Sequence, residues 1–196
     1  MVNSMKRTDR RWQDMAPAQY ANPCPPPQCL LPTTKRVARR RLNRMPDAAT
    51  PSWTADDMAG KGAAHKGGRW NGPGGHVAYA AISISLAAWE TRAHLSRSSA
   101  QLPFNRLLVR VDVPDDVWAR HTQLPRPLPW AGTPFPKARC PRSIGSAWLA
   151  AGTSALLVVP SVIIEEEGNV LINSTHPDAR ELVPEKVRRF LYDHRV

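Results

Sequence analysis

Along NRLLVRVDV (105–113), Leu107, Val109, Val111 and Val113 fall at alternate positions, with Arg110 and Asp112 between them. A two-residue period of this kind predicts a half-buried strand. HVAYAAI (76–82) reads as a second strand, because β-branched and aromatic residues follow a glycine turn. The period then changes: SISLAAWETRAHL (83–95) reads as a helix with a serine as N-cap. Its apolar stripe is Ile82, Leu86, Trp89 and Ala93. SIGSAWLAAG (143–152) is a short helix closed by Gly152. ALLVVPSVII (155–164) is an apolar strand broken at Pro160, which leaves Ser161 at an edge or bulge. NVLIN (169–173) and VRRFLYD (187–193) predict two further strands, and KRVARRRL (35–42) either a first strand or a basic helix. Residues 46–66 and the Pro-rich 125–141 read as loops. Strands and helices without regular βαβ alternation predict an α+β fold, with a mixed, mostly antiparallel β core and flanking helices.

Composition separates the front of the chain from the rest. QYANPCPPPQCLLPTT (19–34) is Pro-rich with little periodicity, so 1–34 is expected to be a disordered basic extension and 35–196 one domain. Of the net charge of +11, the first 50 residues supply 7. That arm is either a solvated tail, with starts at Met5, Met15 or Met45 as a variant of this reading, or a non-specific nucleic-acid contact. No apolar run is long enough to cross a membrane. Cys24, Cys29 and Cys140 lack CxxC spacing, and with the six scattered histidines they form no metal site. A reduced, cytoplasmic setting is expected, with no metal and no bound cofactor.

Candidate chemistry starts at GGRWNGPGG (67–75). A dinucleotide fingerprint needs strand, GxGxxG and then helix, whereas here the glycines precede a strand, and no P-loop Lys-Ser/Thr is present. What the loop offers is Arg69, a planar cation suited to bidentate phosphate contact, on a backbone whose N–H groups can approach an anion. The alternative is a surface turn with an incidental arginine. Glu90 is the sole acid between Asp57 and Asp112. At about 100° per residue it falls roughly 60° from the centre of the helix stripe, so it flanks the buried face. There it must be paired or face a cleft. Tyr79 could stack on a planar heterocycle or simply be core. Ser161 lacks a GxSxG elbow and a His-Asp pair, which argues against a serine hydrolase. Glu165, Glu166 and Glu167 read as a solvated acidic turn.

GKGAAHKGGRWNGPGGHVAYAAISISLAAWETRAHL (60–95) resembles the central signature of the RES-domain family, GxGAxxxGGRWNxxGxxxxYxAxSxxxAxxEtxxHl. LLVRVDVPDD (107–116), IGSAWLAAGTSALLVVPSVII (144–164) and EGNVLINSTHPD (167–178) match later segments in order. The resemblance spans roughly residues 35 to 193 and implies a fold similar to ADP-ribosylating toxins. It also implies a toxin of a bacterial toxin–antitoxin module, paired with a helix-turn-helix (Xre-type) antitoxin and touching DNA only through it. NAD would be its substrate. By resemblance, Arg69, Tyr79 and Glu90 are catalytic, and Arg36, Ser161 and Asn173 contact NAD. Ser143 rivals Ser161 as the family serine, and Lys35-Arg36 stands where an aromatic–Arg pair is usual.

The residues suit that chemistry. Nicotinamide leaves a cationic pyridinium as a neutral base, so the second carboxyl group of ordinary glycosidases is not needed. One carboxylate suffices to stabilise the ribose cation, and by the resemblance Arg69, joined by Arg36, would clamp the diphosphate. Cleavage with water or phosphate as acceptor is the leading expectation, and ADP-ribose transfer to a protein the alternative. A basic nucleic-acid-binding module is the distant third.

Overall fold

The computed structural model describes residues 39–46, 49–50, 53–95, 105–125 and 139–193, all within one unit, Val37–Val196. In chain order the elements are β1 (Arg39–Arg44), β2 (Ala49–Thr50), β3 (Trp53–Thr54), α1 (Lys61–Lys66), β4 (Val77–Ala81), α2 (Ile84–Leu95) and β5 (Arg106–Pro114). They continue with α3 (Asp115–Ala119), β6 (Thr122–Gln123), α4 (Arg139–Ala151), β7 (Leu156–Pro160), β8 (Gly168–Asn173), a 3₁₀ turn (Pro177–Glu181) and β9 (Val183–Phe190). Seven strands form one sheet in the order β6-β7-β8-β4-β1-β5-β9, and β2 pairs with β3 alone. Within the large sheet only β6 and β7 run parallel. This is the expected α+β architecture.

Alternation places the two faces of the sheet in different environments. One face carries Leu42, Ala78, Ala80, Val109, Val111, Val113, Leu156, Val158, Val170 and Ile172, closed over by Val117 of α3 and by Leu182. A fully buried Val, Leu or Ile contributes about 1.5–3 kcal/mol, so this layer is the main stabilising core. The opposite face is divided. Val77, Leu157, Val159 and Leu171 pack with Trp70 and Trp148, and Tyr79 joins them. Ala81 packs instead with Met45, Leu86, Ala87 and Leu108. Tyr79 and Ala81 are two residues apart on one strand, about 7 Å, yet belong to different clusters. The seam between those clusters lies over β4 and β8.

Several elements depart from the sequence reading. The first strand runs 39–44, four residues later than KRVARRRL suggested, and the 46–66 loop holds β2, β3 and α1. The helix read at 143–152 begins at Arg139, and Gly152 closes it at φ 58°. Ser161 directly follows β7, past Val158 where the described pairing with β6 ends, so this end of the strand is paired on the β8 side alone, as Pro160 suggested. The α2 stripe is also corrected. Leu86 and Ala87 are buried while Ile82, Trp89 and Ala93 are exposed, so the buried arc is rotated toward Ala87 and takes in Glu90.

Candidate active site

Glu90 is fixed by its charged end. Ser83 caps α2, its hydroxyl accepting from Leu86 N at 3.0 Å, which starts the helix where β4 ends. Two turns on, Glu90 Oε1 accepts from Ser161 Oγ at 2.9 Å and from Asn169 Nδ2 at 2.5 Å. Its Oε2 makes no hydrogen bond among the described residues. Ser161 is itself held: 4 % exposed, its hydroxyl accepts from Ile163 N at 3.0 Å and Ile164 N at 3.2 Å. Its backbone N–H reaches Glu167 O at 3.1 Å. Glu167, read from the sequence as part of a solvated turn, accepts from Ser83 Oγ at 2.5 Å and ties the 161–167 turn to the start of α2. Glu165 and Glu166 are exposed as expected. Both donors to Glu90 are neutral, so they orient the carboxylate without cancelling its charge.

The Gly-rich loop is fixed at its root. Asn71 is fully buried, and its amide nitrogen donates to the carbonyls of Ala63 (3.0 Å), Gly72 (3.0 Å) and Gly75 (3.2 Å). Tyr79 Oη donates to Asn71 Oδ1 at 2.7 Å and accepts from Trp70 N at 3.3 Å. Burial pushes the Tyr79 phenol up to about 12, against smaller opposing effects of the Trp70 N–H and Arg142. Gly68 must lack a side chain, since a Cβ there would lie 2.5 Å from Tyr79 Oη. Gly145 of α4 meets the same demand, a Cβ falling 1.8 Å from Trp70 O.

Most of the loop's glycine N–H groups are bonded within the protein. Gly67 N, Gly68 N, Gly74 N and Gly75 N bond Ala63 O, Asn71 O, Ala64 O and Gly72 O, and Gly72 N bonds Ser146 Oγ at 3.3 Å. The loop thus folds largely onto itself. Trp70 is buried, and its neighbour Arg69 is exposed with no hydrogen bond or ion pair to a described residue.

The sheet brings the two anchors together. Tyr79 pairs with Leu171 and Ala81 with Asn169, adjacent same-face rows of β4 and β8. The row holding the loop thus lies beside the row holding Glu90. Asn173 is not brought there: it is opposite Val77, about 13 Å along β8 from Asn169, and its Oδ1 accepts from Thr175 N and Oγ1 at 3.1 and 2.7 Å. Ser143 is exposed on α4, and the serine bonded to Glu90 is Ser161. Arg36 lies outside the described residues. A depression lined by Gly72, Pro73, Ser146, Leu149 and Thr175 is separate, and none of Arg69, Tyr79, Glu90 or Ser161 lines it.

Four residues escaped the sequence reading. Asn169 and Asn71 are recognisable only through strand register and loop packing. Arg142 of α4 reaches Gly68 O from Nε and NH2 at 3.4 Å, which sets a second guanidinium beside the loop. Arg44 of β1 donates from Nε to Tyr79 O at 3.0 Å and from NH1 to Asp57 O at 3.2 Å. Burial lowers the Arg44 pKa to about 10, with Asp57 opposing, so the group stays cationic at neutral pH. Among the described residues no His, Cys, Asp and Glu group could hold a metal, and no helix is long and apolar enough to cross a membrane.

The chain is 47% identical over 151 residues to the "Prs ADP-ribosylating toxin" of a Sphingobium strain, covering 76% of this chain and 91% of that protein. It is 34% identical over 124 residues to a "Toxin Res" of Yersinia enterocolitica, covering 63% of this chain and 79% of that one. A Pseudomonas putida "Toxin Res" is 34% identical over 125 residues, or 63% and 82%. Residues 41–193 match the RES domain, a span containing Arg69, Tyr79, Glu90, Ser161 and Asn169, and the chain belongs to the RES-domain family.

Proposed function

We propose that the chain is a toxin that cleaves the nicotinamide–ribose bond of NAD and transfers the ADP-ribose to a protein. The observation that carries this reading is Glu90, a carboxylate oriented through Oε1 by Ser161 and Asn169 while Oε2 stays uncommitted. As the bond between ribose C1′ and the pyridinium nitrogen breaks, its electron pair stays with nitrogen and neutral nicotinamide departs. Positive charge develops on the ribose, and a preoriented anion stabilises it without reorganisation. An acceptor nucleophile then bonds to C1′ and loses its proton to solvent. Arg69, with Arg142 beside it, supplies the cationic side for the diphosphate. Tyr79 keeps the loop in place through its hydroxyl.

The name of the 47%-identical relative favours a protein acceptor over the water or phosphate that the residues alone suggested. Cleavage with water or phosphate as acceptor is the second reading, since the hydrogen bonds that orient Glu90 serve it equally. A helix-turn-helix antitoxin belongs to this proposal, with DNA bound through that partner. Purified chain, whole-cell protein and NAD labelled in its adenylate half decide between the readings. Nicotinamide release with label on protein supports transfer, and label in small molecules supports hydrolysis or phosphorolysis. Absence of nicotinamide release overturns both.

A further inference from the structure

Eight large apolar side chains are exposed among the described residues, and they are not scattered. Val183, Val187 and Leu191 accompany the edge strand β9. The other five, Ile82, Ile84, Trp89, Val162 and Ile163, belong to α2 and its approach or to the 161–167 turn. Hydrogen bonds draw these two segments together at Glu90. Ile82 N reaches Gly168 O at 3.3 Å, and Ile163 N bonds the same Ser161 hydroxyl that donates to Glu90. Trp89, the chain neighbour of Glu90, is 43 % exposed, and Val162 is 50 % exposed. Concentrated apolar exposure of this kind marks an interaction surface more often than scattered single residues do. The patch is also edged by the exposed Glu165 and Glu166, on a chain whose net charge is +11.

We infer that this rim, Ile82, Trp89, Val162 and Ile163 bordered by Glu165 and Glu166, is the docking surface for the protein acceptor, and that the acceptor meets it with an apolar patch flanked by basic residues. The inference rests on the transfer reading above. A macromolecular nucleophile reaches C1′ only by bringing its own surface over the residues around Glu90, and those residues are apolar with an acidic border. Charge complementarity selects a basic flank on the partner. Water needs no such contact. Loss of the rim therefore separates the two acceptors: transfer to protein falls while NAD cleavage into water persists.

The test compares wild type with Trp89→Gln, Val162→Ser and Glu166→Lys, and with Trp89→Phe as the conservative control. Each is incubated with adenylate-labelled NAD, first alone and then with whole-cell protein. Nicotinamide release and protein-bound label are both measured. The expected result is a drop in protein labelling of tenfold or more for Trp89→Gln and Val162→Ser, on the order of one buried hot-spot contact. Glu166→Lys should lower it less and remove its salt dependence. Nicotinamide release without acceptor should stay within about twofold, and Trp89→Phe should restore labelling. Parallel loss of labelling and nicotinamide release would overturn the inference, as would unchanged labelling. If wild type releases nicotinamide but labels no protein, the docking role falls while NAD cleavage stands. If sedimentation shows wild type as a dimer and Val162→Ser as a monomer, the rim joins two copies of this chain and the inference is wrong.

Discussion

The two halves of the site are immobilised in opposite ways. Glu90 is held at its functional end, where Ser161 and Asn169 bond one carboxylate oxygen. Arg69 is held only at its root, where Asn71, Tyr79 and the loop backbone fix the segment and the guanidinium is left exposed. The difference follows from the tasks proposed for each. A carboxylate that answers charge at a single atom gains from a fixed orientation. A cation that gathers a flexible diphosphate needs reach, and the planar guanidinium supplies specificity once it arrives. Changes around Glu90 should therefore act on the rate at saturating NAD, and changes around Arg69 on the concentration of NAD required.

Breaking the acid itself should have the largest effect. Glu90→Gln keeps size and loses charge, and nicotinamide release at saturating NAD should fall about 10²–10³-fold or more. Next come its donors. Asn169→Ala and Ser161→Ala each remove one hydrogen bond to a charged group, about 1.5–3 kcal/mol, so each should lower kcat roughly 10–100-fold with KM little changed. Arg69→Ala should do the reverse, raising KM about tenfold with kcat nearly constant, and Arg142→Ala should raise it less. Equal effects on kcat and KM in both groups would erase the contrast.

The smallest expected effect sharpens the comparison at the loop's root. Tyr79→Phe loses the hydroxyl that joins Asn71 and Trp70, about 1 kcal/mol of stability, measurable by denaturant unfolding. The same phenol gives a pH signature. Its folded value, about 12, lies above the ordinary 10, so the unfolded chain ionises first. Stability tied to Tyr79 is complete below about pH 10 and declines as pH rises toward 12. Tyr79→Phe should flatten that alkaline decline, which thermal melts between pH 9 and about 11.5 would reveal.

Local pattern carried the elements that pack locally. Alternation at Leu107–Val113 and the serine before α2 announced β5 and the helix start, because strand faces and helix caps are decided within a few residues. The rotation of α2 was not legible. Ile82, Leu86, Trp89 and Ala93 fit a helical period, but the buried arc is selected by Ile164, Phe190 and Tyr192, which come from distant segments. The glycines of 67–75 suggested a backbone open to anions, whereas Asn71 and Ser146 occupy several of that backbone's polar groups, a packing not legible from the glycines alone. Arg69, Tyr79, Glu90 and Ser161 stood out through residue type and family resemblance. Asn169 did not, because its contact with Glu90 exists only once β8 pairs with β4 in this register. Arg44 does not stand out in the sequence, because it lies beyond the basic run 35–42 and gains its role only through β1.

The most direct test of the account is a crystal structure of the Glu90→Gln variant soaked with NAD, which that substitution should leave uncleaved. The account predicts ribose C1′ about 3.5 Å from the residue 90 side chain, a near-attack distance, with the diphosphate against Arg69. NAD bound elsewhere, such as in the depression beside Thr175, with residue 90 untouched, would contradict it.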